Sequence, residues 1–332
     1  MRALICAVVA ACLALGVSAA GARVIDKEFH EAFDVEPGSR LRLHHGDGDV
    51  TITPWDQNVI DVEVRYHADV KAVGIGARHD FDVEFGQDGD VVTVKGIEGS
   101  ATGVYIVTRV VEYEYTYTIM APSYVVIEAT GDDGDVSVSG WRADIEWRVD
   151  DGDLELSDIV NESTALVVED GDVRVEGVES ELTIRGDDGD VTINKSTLTD
   201  CVLSLQDGDV AIFDTDGSFD LSLDDGDVLF SRVGAGAVDI RGEDGDVSLD
   251  LRGSEEVGVS VSTDDGDVLI ALPTGTSFEY LVTMDDGDVS VDLEGDVPED
   301  RDEHRVSGRV GDGAGMVRVR VADGDVMLTS GG

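Results

Sequence analysis

Through most of the chain, aliphatic residues alternate with small or polar ones in short runs, and glycine cuts the runs apart. Val247, Leu249 and Leu251 alternate with Ser248 and Asp250, and Val259 and Val261 with Ser260 and Ser262. The same pattern joins Val173 and Val175 to Leu182 and Ile184, and Val210 and Ile212 to Phe219, Leu221 and Leu223. A period of two predicts strands with one buried and one solvated face. No stretch carries a convincing 3.6-residue period, and only five prolines interrupt the pattern, in keeping with all-β content.

The runs are phased by a tetrapeptide, Asp-Gly-Asp followed by an aliphatic residue, that occurs twelve times. Its copies begin at Asp47, Asp88, Asp133, Asp151, Asp170, Asp188, Asp207, Asp225, Asp244, Asp265, Asp286 and Asp323. From Asp133 to Asp286 the steps are 18, 19, 18, 19, 18, 19, 21 and 21 residues, and the wider gaps of 41, 45 and 37 are each close to two steps. Two strands and two turns fill one step. Such a unit cannot bury its apolar face alone, so it must stack on copies of itself. The fold predicted is an all-β, single-stranded β-helix or β-solenoid with coils of about 18–21 residues. Glycine supplies a turn conformation that a side chain opposes, and the flanking aspartates are expected to bond the turn's own N–H groups.

Outside residues 133–332, the regular β-solenoid, the pattern loosens. Residues 23–132 read as an irregular β-rich N-terminal cap, with Tyr113 to Ile119 a long alternating strand that ends at Pro122. Solenoid ends need such protection against edge pairing. Residues 294–309 hold Pro298 and the cluster Glu299 to His304, and read as an exposed inserted loop. The last motif lies close to the end of the sequence, so the C-terminal coil is expected to be open or to pair with another molecule, a route to self-association.

Residues 1–22 read as a signal peptide. Arg2 begins it, Ala3 to Val17 is apolar, and Ser18 to Ala22 are small. A lipoprotein signal with Val9-Ala-Ala-Cys12 as its lipobox is the rival reading. The chain is therefore expected to be exported, to the periplasm, cell surface or medium of a bacterium, with no transmembrane span once the signal is gone. Its net charge is −50; loss of Arg2 leaves 22 basic against 73 acidic residues, or −51. That charge excludes nucleic acid as a partner and disfavours an anionic membrane. Cations, basic partners or a salt-loving host fit it. After processing only Cys201 remains, in phase with Leu203 and Leu205, and reads as a small buried hydrophobe.

Several segments carry a family likeness: Phe33 to Leu43 followed by Gly46 to Ile52 and Trp55, Met120-Ala-Pro122 with Val126 to Gly131, Gly134 to Val138, and Gly311 to Val326. On these the chain resembles the bacterial DUF4097 family, adhesin-like proteins with β-strand repeats, and more distantly the GIN-type adhesin head domain. The resemblance covers nearly all of residues 25–330. It implies a secreted or envelope-associated β-helix with no assigned activity, some of whose relatives belong to cell-envelope stress responses. The family more often has Ser or Asn before the glycine, so this chain is unusually acidic at the turn.

The aspartate rows are the one candidate site. Stacking sets equivalent carboxylates about 4.8 Å apart, where they repel unless screened or bridged. Bridging Ca²⁺ would use Asp133, Asp135, Asp151, Asp153, Asp170, Asp172, Asp188, Asp190, Asp207, Asp209, Asp225, Asp227, Asp244, Asp246, Asp265, Asp267, Asp286 and Asp288. The plain alternative is that these aspartates cap turns and face solvent. The motif is neither an EF-hand loop nor the calcium-binding nonapeptide. An extracellular enzyme acting on polysaccharide is the alternative function, but paired carboxylates occur everywhere and single out no acid and base. Such a charge also repels a polyanionic substrate. His44-His45 reads as a solvated pair at a turn, and His30, His67, His79 and His304 show no partners in the sequence. The function expected is a non-enzymatic structural or binding module of the cell envelope with an unknown surface ligand.

Overall fold

The computed structural model describes residues 22–71, 81–98, 110–253, 258–302 and 304–331. Residues 1–21 of the proposed signal peptide and His79 lie outside the described residues. The described residues form strands and turns without helix, stacked as two parallel sheets wound by a single chain.

Each regular coil uses the sequence pattern directly. A longer strand such as Glu179–Asp188 runs in one sheet, the Asp-Gly-Asp turn follows, and a short strand such as Val191–Asn194 runs in the other. Alternation sends Leu182 and Ile184 inward from the first, and Val191 and Ile193 from the second, all almost fully buried. Equivalent residues stack, so Val173, Val191, Val210 and Val228 form one ladder and Leu182, Cys201 and Phe219 another. Burying one such aliphatic side chain is worth about 1.5–3 kcal/mol. Cys201 is buried and free, and burial pushes its thiol up to about 12.

The second turn of each coil is left-handed. Its position is Gly140, Asp158, Gly177, Lys195, Asp214 and Arg232 in successive coils, with φ between 48° and 66°. Non-glycine residues are strained there, and the following buried position helps hold the turn: Ser196 Oγ accepts the Val178 N–H and Thr215 Oγ1 accepts the Ser196 N–H.

The two ends depart from sequence order. At the C-terminal end, Gly258–Asp265 pairs with Gly315–Asp323, which pairs in turn with Phe278–Asp286. The coil of Asp323 is thus interposed between those of Asp265 and Asp286. The expected open edge after the last motif is corrected: the coil of Asp286 is the outer one. Its longer strand is covered by Arg305–Val310, antiparallel to it, and that by Asp296–Arg301. Residues 294–309, expected as a loop, therefore hold a hairpin that closes this sheet. The short outer strand Val289–Asp292 pairs on one side only, and Arg301 donates from the hairpin to the Val289 carbonyl at 3.0 Å.

At the other end, Ala22–Asp34, Val59–Lys71 and Val110–Ala121 are joined antiparallel, and the last pairs in parallel with Asp49–Pro54. Here Tyr66, Phe81 and Tyr115 stack with ring centroids 4.4–5.3 Å apart. Asp88-Gly-Asp90 joins two antiparallel strands, Phe81–Asp88 and Val91–Glu98. This copy, counted with the coils on sequence, is a hairpin turn outside the stack.

Candidate functional site

Eleven of the twelve motifs therefore share one column along the solenoid, and the two aspartates in each have different environments. The second is part of the stack's hydrogen bonding. Asp49 Oδ1 accepts the backbone N–H of Asp135 at 3.0 Å, Asp135 that of Asp153 at 3.2 Å, and Asp153 that of Asp172 at 2.9 Å. The series runs on through Asp190, Asp209, Asp227, Asp246, Asp267 and Asp325 to the N–H of Asp288. The sequence suggested that the carboxylates bond their own turn; Asp286 of the outer coil does so, accepting the Gly287 N–H at 2.9 Å, whereas the second aspartates of the ladder bond the next coil instead. Charge-assisted bonds of this kind are stronger than neutral ones.

Glycine is required between them. In the coils from Gly134 to Gly324 its φ lies between +118° and +149°, and its N–H donates to the carbonyl of the next coil's first aspartate. A Cβ on Gly208 would lie 2.2 Å from the Gly189 carbonyl oxygen, and one on Gly226 2.1 Å from that of Gly208.

The first aspartate points into solvent beside its neighbours above and below. Burial of the carboxyl groups against one another, then the charge of Asp188 and Asp151, raises Asp170 above the usual carboxylate range. Asp207 and Asp244 are raised likewise. A carboxyl raised in the folded state binds protons there more readily than in the unfolded chain. This row therefore favours the fold below the ordinary carboxylate pKa, and that contribution is lost as pH rises through the raised values.

The candidate Ca²⁺ ligands are thus placed in two rows. Asp133, Asp151, Asp170, Asp188, Asp207, Asp225, Asp244, Asp265 and Asp286 form the first, while Asp135, Asp153, Asp172, Asp190, Asp209, Asp227, Asp246, Asp267 and Asp288 belong to the second. Among the described residues no three His, Cys, Asp or Glu side chains converge to hold a metal ion. The different roles set a test. Asp209→Ala orphans the Asp227 N–H and is expected to cost about 1–3 kcal/mol in urea unfolding, whereas Asp209→Asn, which keeps an acceptor, recovers most of it. Asp207→Asn is expected to raise Tm at low salt, because it only relieves repulsion.

The ladder of second aspartates, a rail along the stack, adjoins a solvated sheet face, whose nearest outward residues lie two positions beyond the second aspartate. The nearest outward row reads Ala211, Leu229, Ser248, Leu269, Met327 and Ser290 in register. Leu229, Leu269 and Met327 are 42, 40 and 49% exposed, a strong departure from the acidic character of the whole chain. No signal in the repeat marked this row, since each member falls at a position the alternation assigns to solvent.

The matching family model is Toastrack DUF4097, over residues 39–329. The chain belongs to the Toastrack DUF4097 family. Similar solved structures include a "putative adhesin" of Parabacteroides distasonis, 11% identical, with a TM-score of 0.44 and coverage of 91% of this chain and 97% of that one. A "putative adhesin" of Bacteroides fragilis is 12% identical, with a TM-score of 0.33 and the same coverages. A "putative lipid binding protein" of Parabacteroides distasonis is 10% identical, with a TM-score of 0.41 and coverage of 74 and 97%. No curated protein matches.

The Toastrack stack also corrects the reading of the histidines. His45 is fully buried, in phase with Leu41 and Leu43, not solvated with its neighbour. Its Nδ1–H donates to the Gly48 carbonyl at 2.8 Å, and its ring lies 5.8 Å from that of Trp147 and 6.3 Å from that of Tyr117. Nε2 is buried without a hydrogen-bond partner among the described residues. Burial lowers its pKa to about 4; the Gly48 bond opposes the shift and the charge of His44 adds to it. His30 pairs with Asp61 at 2.8 Å and His67 with Asp26 at 2.6 Å, both at the surface. Of the grooves, one of about 400 Å³ lies where the longer strands bulge, lined by Asp200, Phe219, Asp220, Asp239, Ser260 and Arg318. Arg241 ties Asp220 and Asp239 together at its side. No helix among the described residues is long and apolar enough to cross a membrane.

Proposed function

We propose that this protein is an exported, non-enzymatic binding module of the bacterial cell envelope, adhesin-like in that it holds a surface ligand by many equivalent contacts. The observation that carries this reading is the in-register display of the motif aspartates from coil to coil along one stack. A ligand that meets one coil meets the next about 4.8 Å on, so weak contacts add along the axis. The apolar N-terminal segment supports export. Membership of the Toastrack DUF4097 family supplies the scaffold.

Fractionation of the host cell combined with a pull-down from envelope material tests the reading. The protein is expected in the periplasm, on the surface or in the medium, and the purified solenoid is expected to retain envelope components. Recovery in the cytosol, or a solenoid that retains nothing from envelope extracts, overturns it.

A further inference from the structure

We infer that the outward face of the short-strand sheet, from the coil of Asp209 to that of Asp325, docks a basic, apolar-faced polypeptide segment. The inference deepens the binding role proposed above and rests on it for its biological setting, though not for its physics.

Three rows run side by side along this face. The first is the second-aspartate rail, here Asp209, Asp227, Asp246, Asp267 and Asp325. Two residues further along the chain, at the first outward position of each short strand, comes the row Ala211, Leu229, Ser248, Leu269 and Met327. Two residues further again stand Phe213 and Ser231, then, past a bulge in the register, Asp250, Ala271 and Thr329. Of the ten residues in the last two rows only Asp250 is charged, in a chain with 73 acidic residues.

Charge complementarity fixes the occupant. Leu269 and Met327 are direct neighbours, with Leu229 two strands away, so the apolar row extends about 19 Å from Ala211 to Met327. The carboxylates of the rail are held by backbone N–H groups, which fixes their positions while leaving their negative charge. A partner covering the aliphatic row necessarily brings its flank over that rail, where an acidic or anionic surface is repelled and Lys or Arg is attracted. A helix of about 13 residues spans the row, so a segment with one aliphatic stripe bordered on one side by basic residues satisfies both rows together. An unmodified lipid surface supplies the apolar contact without the row of cations.

The test uses the full mature chain and two synthetic 14-residue peptides. One carries leucines at i, i+3, i+4 and i+7 with lysines elsewhere; the other has serine in place of leucine. The wild type is expected to bind the leucine peptide at least about tenfold more tightly than the serine peptide at physiological salt. The triple variant Leu229→Ser, Leu269→Ser, Met327→Ser is expected to lose that preference with an unchanged charge and far-UV circular dichroism spectrum. As a second measurement that leaves the row intact, Asp227→Asn with Asp267→Asn is expected to weaken binding and flatten its salt dependence. Equal binding of both peptides, an unchanged preference in the triple variant, or binding to zwitterionic vesicles in preference to the leucine peptide overturns the proposal. An envelope pull-down with both proteins separates the two readings. Retention by the wild type and triple variant alike overturns this face as the docking site and leaves the binding role standing. Peptide binding without retention of envelope material does the reverse.

Discussion

Gly208→Ala is expected to cost about 2–6 kcal/mol, a large share of the roughly 5–15 kcal/mol that stabilises an ordinary domain. Two effects coincide. The backbone at this position has φ +136°, which an L side chain resists at about 1–3 kcal/mol. The new methyl would also meet the Gly189 carbonyl oxygen at 2.2 Å. That oxygen belongs to an equally constrained coil, so relief requires parting the stack, at about another 1–3 kcal/mol. Gly275→Ala separates the terms: φ is +82° but nothing lies within 4 Å of the added Cβ, so only the conformational cost remains. Urea unfolding of both variants provides the measurement. Similar losses at the two positions would show that close stacking of the glycines contributes nothing.

Acidification from pH 7 to pH 4 is expected to destabilise the N-terminal coils through His45, by up to about 3 kcal/mol. The sign follows from its lowered pKa. In the folded chain His45 titrates near 4, against 6.5 when exposed, so between those values the unfolded state binds the extra proton. Stability from this group is full above pH 6.5, falls as pH drops toward 4, and changes little below. The cause is steric and polar together. Nδ1 already donates to the Gly48 carbonyl, so a second proton on Nε2 would be buried without an acceptor between the rings of Trp147 and Tyr117. The first-aspartate row works in the opposite direction at lower pH, since Asp170, Asp207 and Asp244 are raised and their protonation relieves repulsion. His45→Leu, compared with wild type by thermal melting from pH 4 to 8, should remove the loss between pH 6.5 and 4. A variant with the same slope as wild type assigns the acid sensitivity elsewhere.

The coil was legible in the sequence because every level of the pattern agrees. Period-two alternation sets the strands, glycine the turn, and the regular step the parallel register, as Val191 over Val210 over Val228 illustrates. Where order in space departs from order along the chain, no local signal exists. The interposition of the Asp323 coil depends on pairing across more than fifty residues, with the Asp325 N–H meeting Asp267. The hairpin over residues 294–309 was obscured because its strand Asp296–Arg301 is exposed almost throughout and so lacks alternation. His45 was legible in principle: it continues the inward phase of Leu41 and Leu43, but a His-His pair before a turn suggests solvent. The two aspartates of the motif are equivalent in sequence. Only the stack distinguishes the one held by the next coil's N–H from the one facing its own kind.

From coil to coil, the second aspartate of the stacked motifs is a structural acceptor for the neighbouring backbone N–H, from Asp49 through to Asp325. Amide hydrogen exchange at Asp153, Asp172, Asp190, Asp209, Asp227, Asp246 and Asp267, in the presence of chelator, tests it most directly. These residues are exposed, yet each N–H donates to the preceding carboxylate at 2.8–3.2 Å. Protection of these amides at least about a hundredfold over the unfolded chain, unchanged by millimolar Ca²⁺, is the predicted result. Exchange at the unfolded rate, or protection that arises only when Ca²⁺ is added, would contradict it.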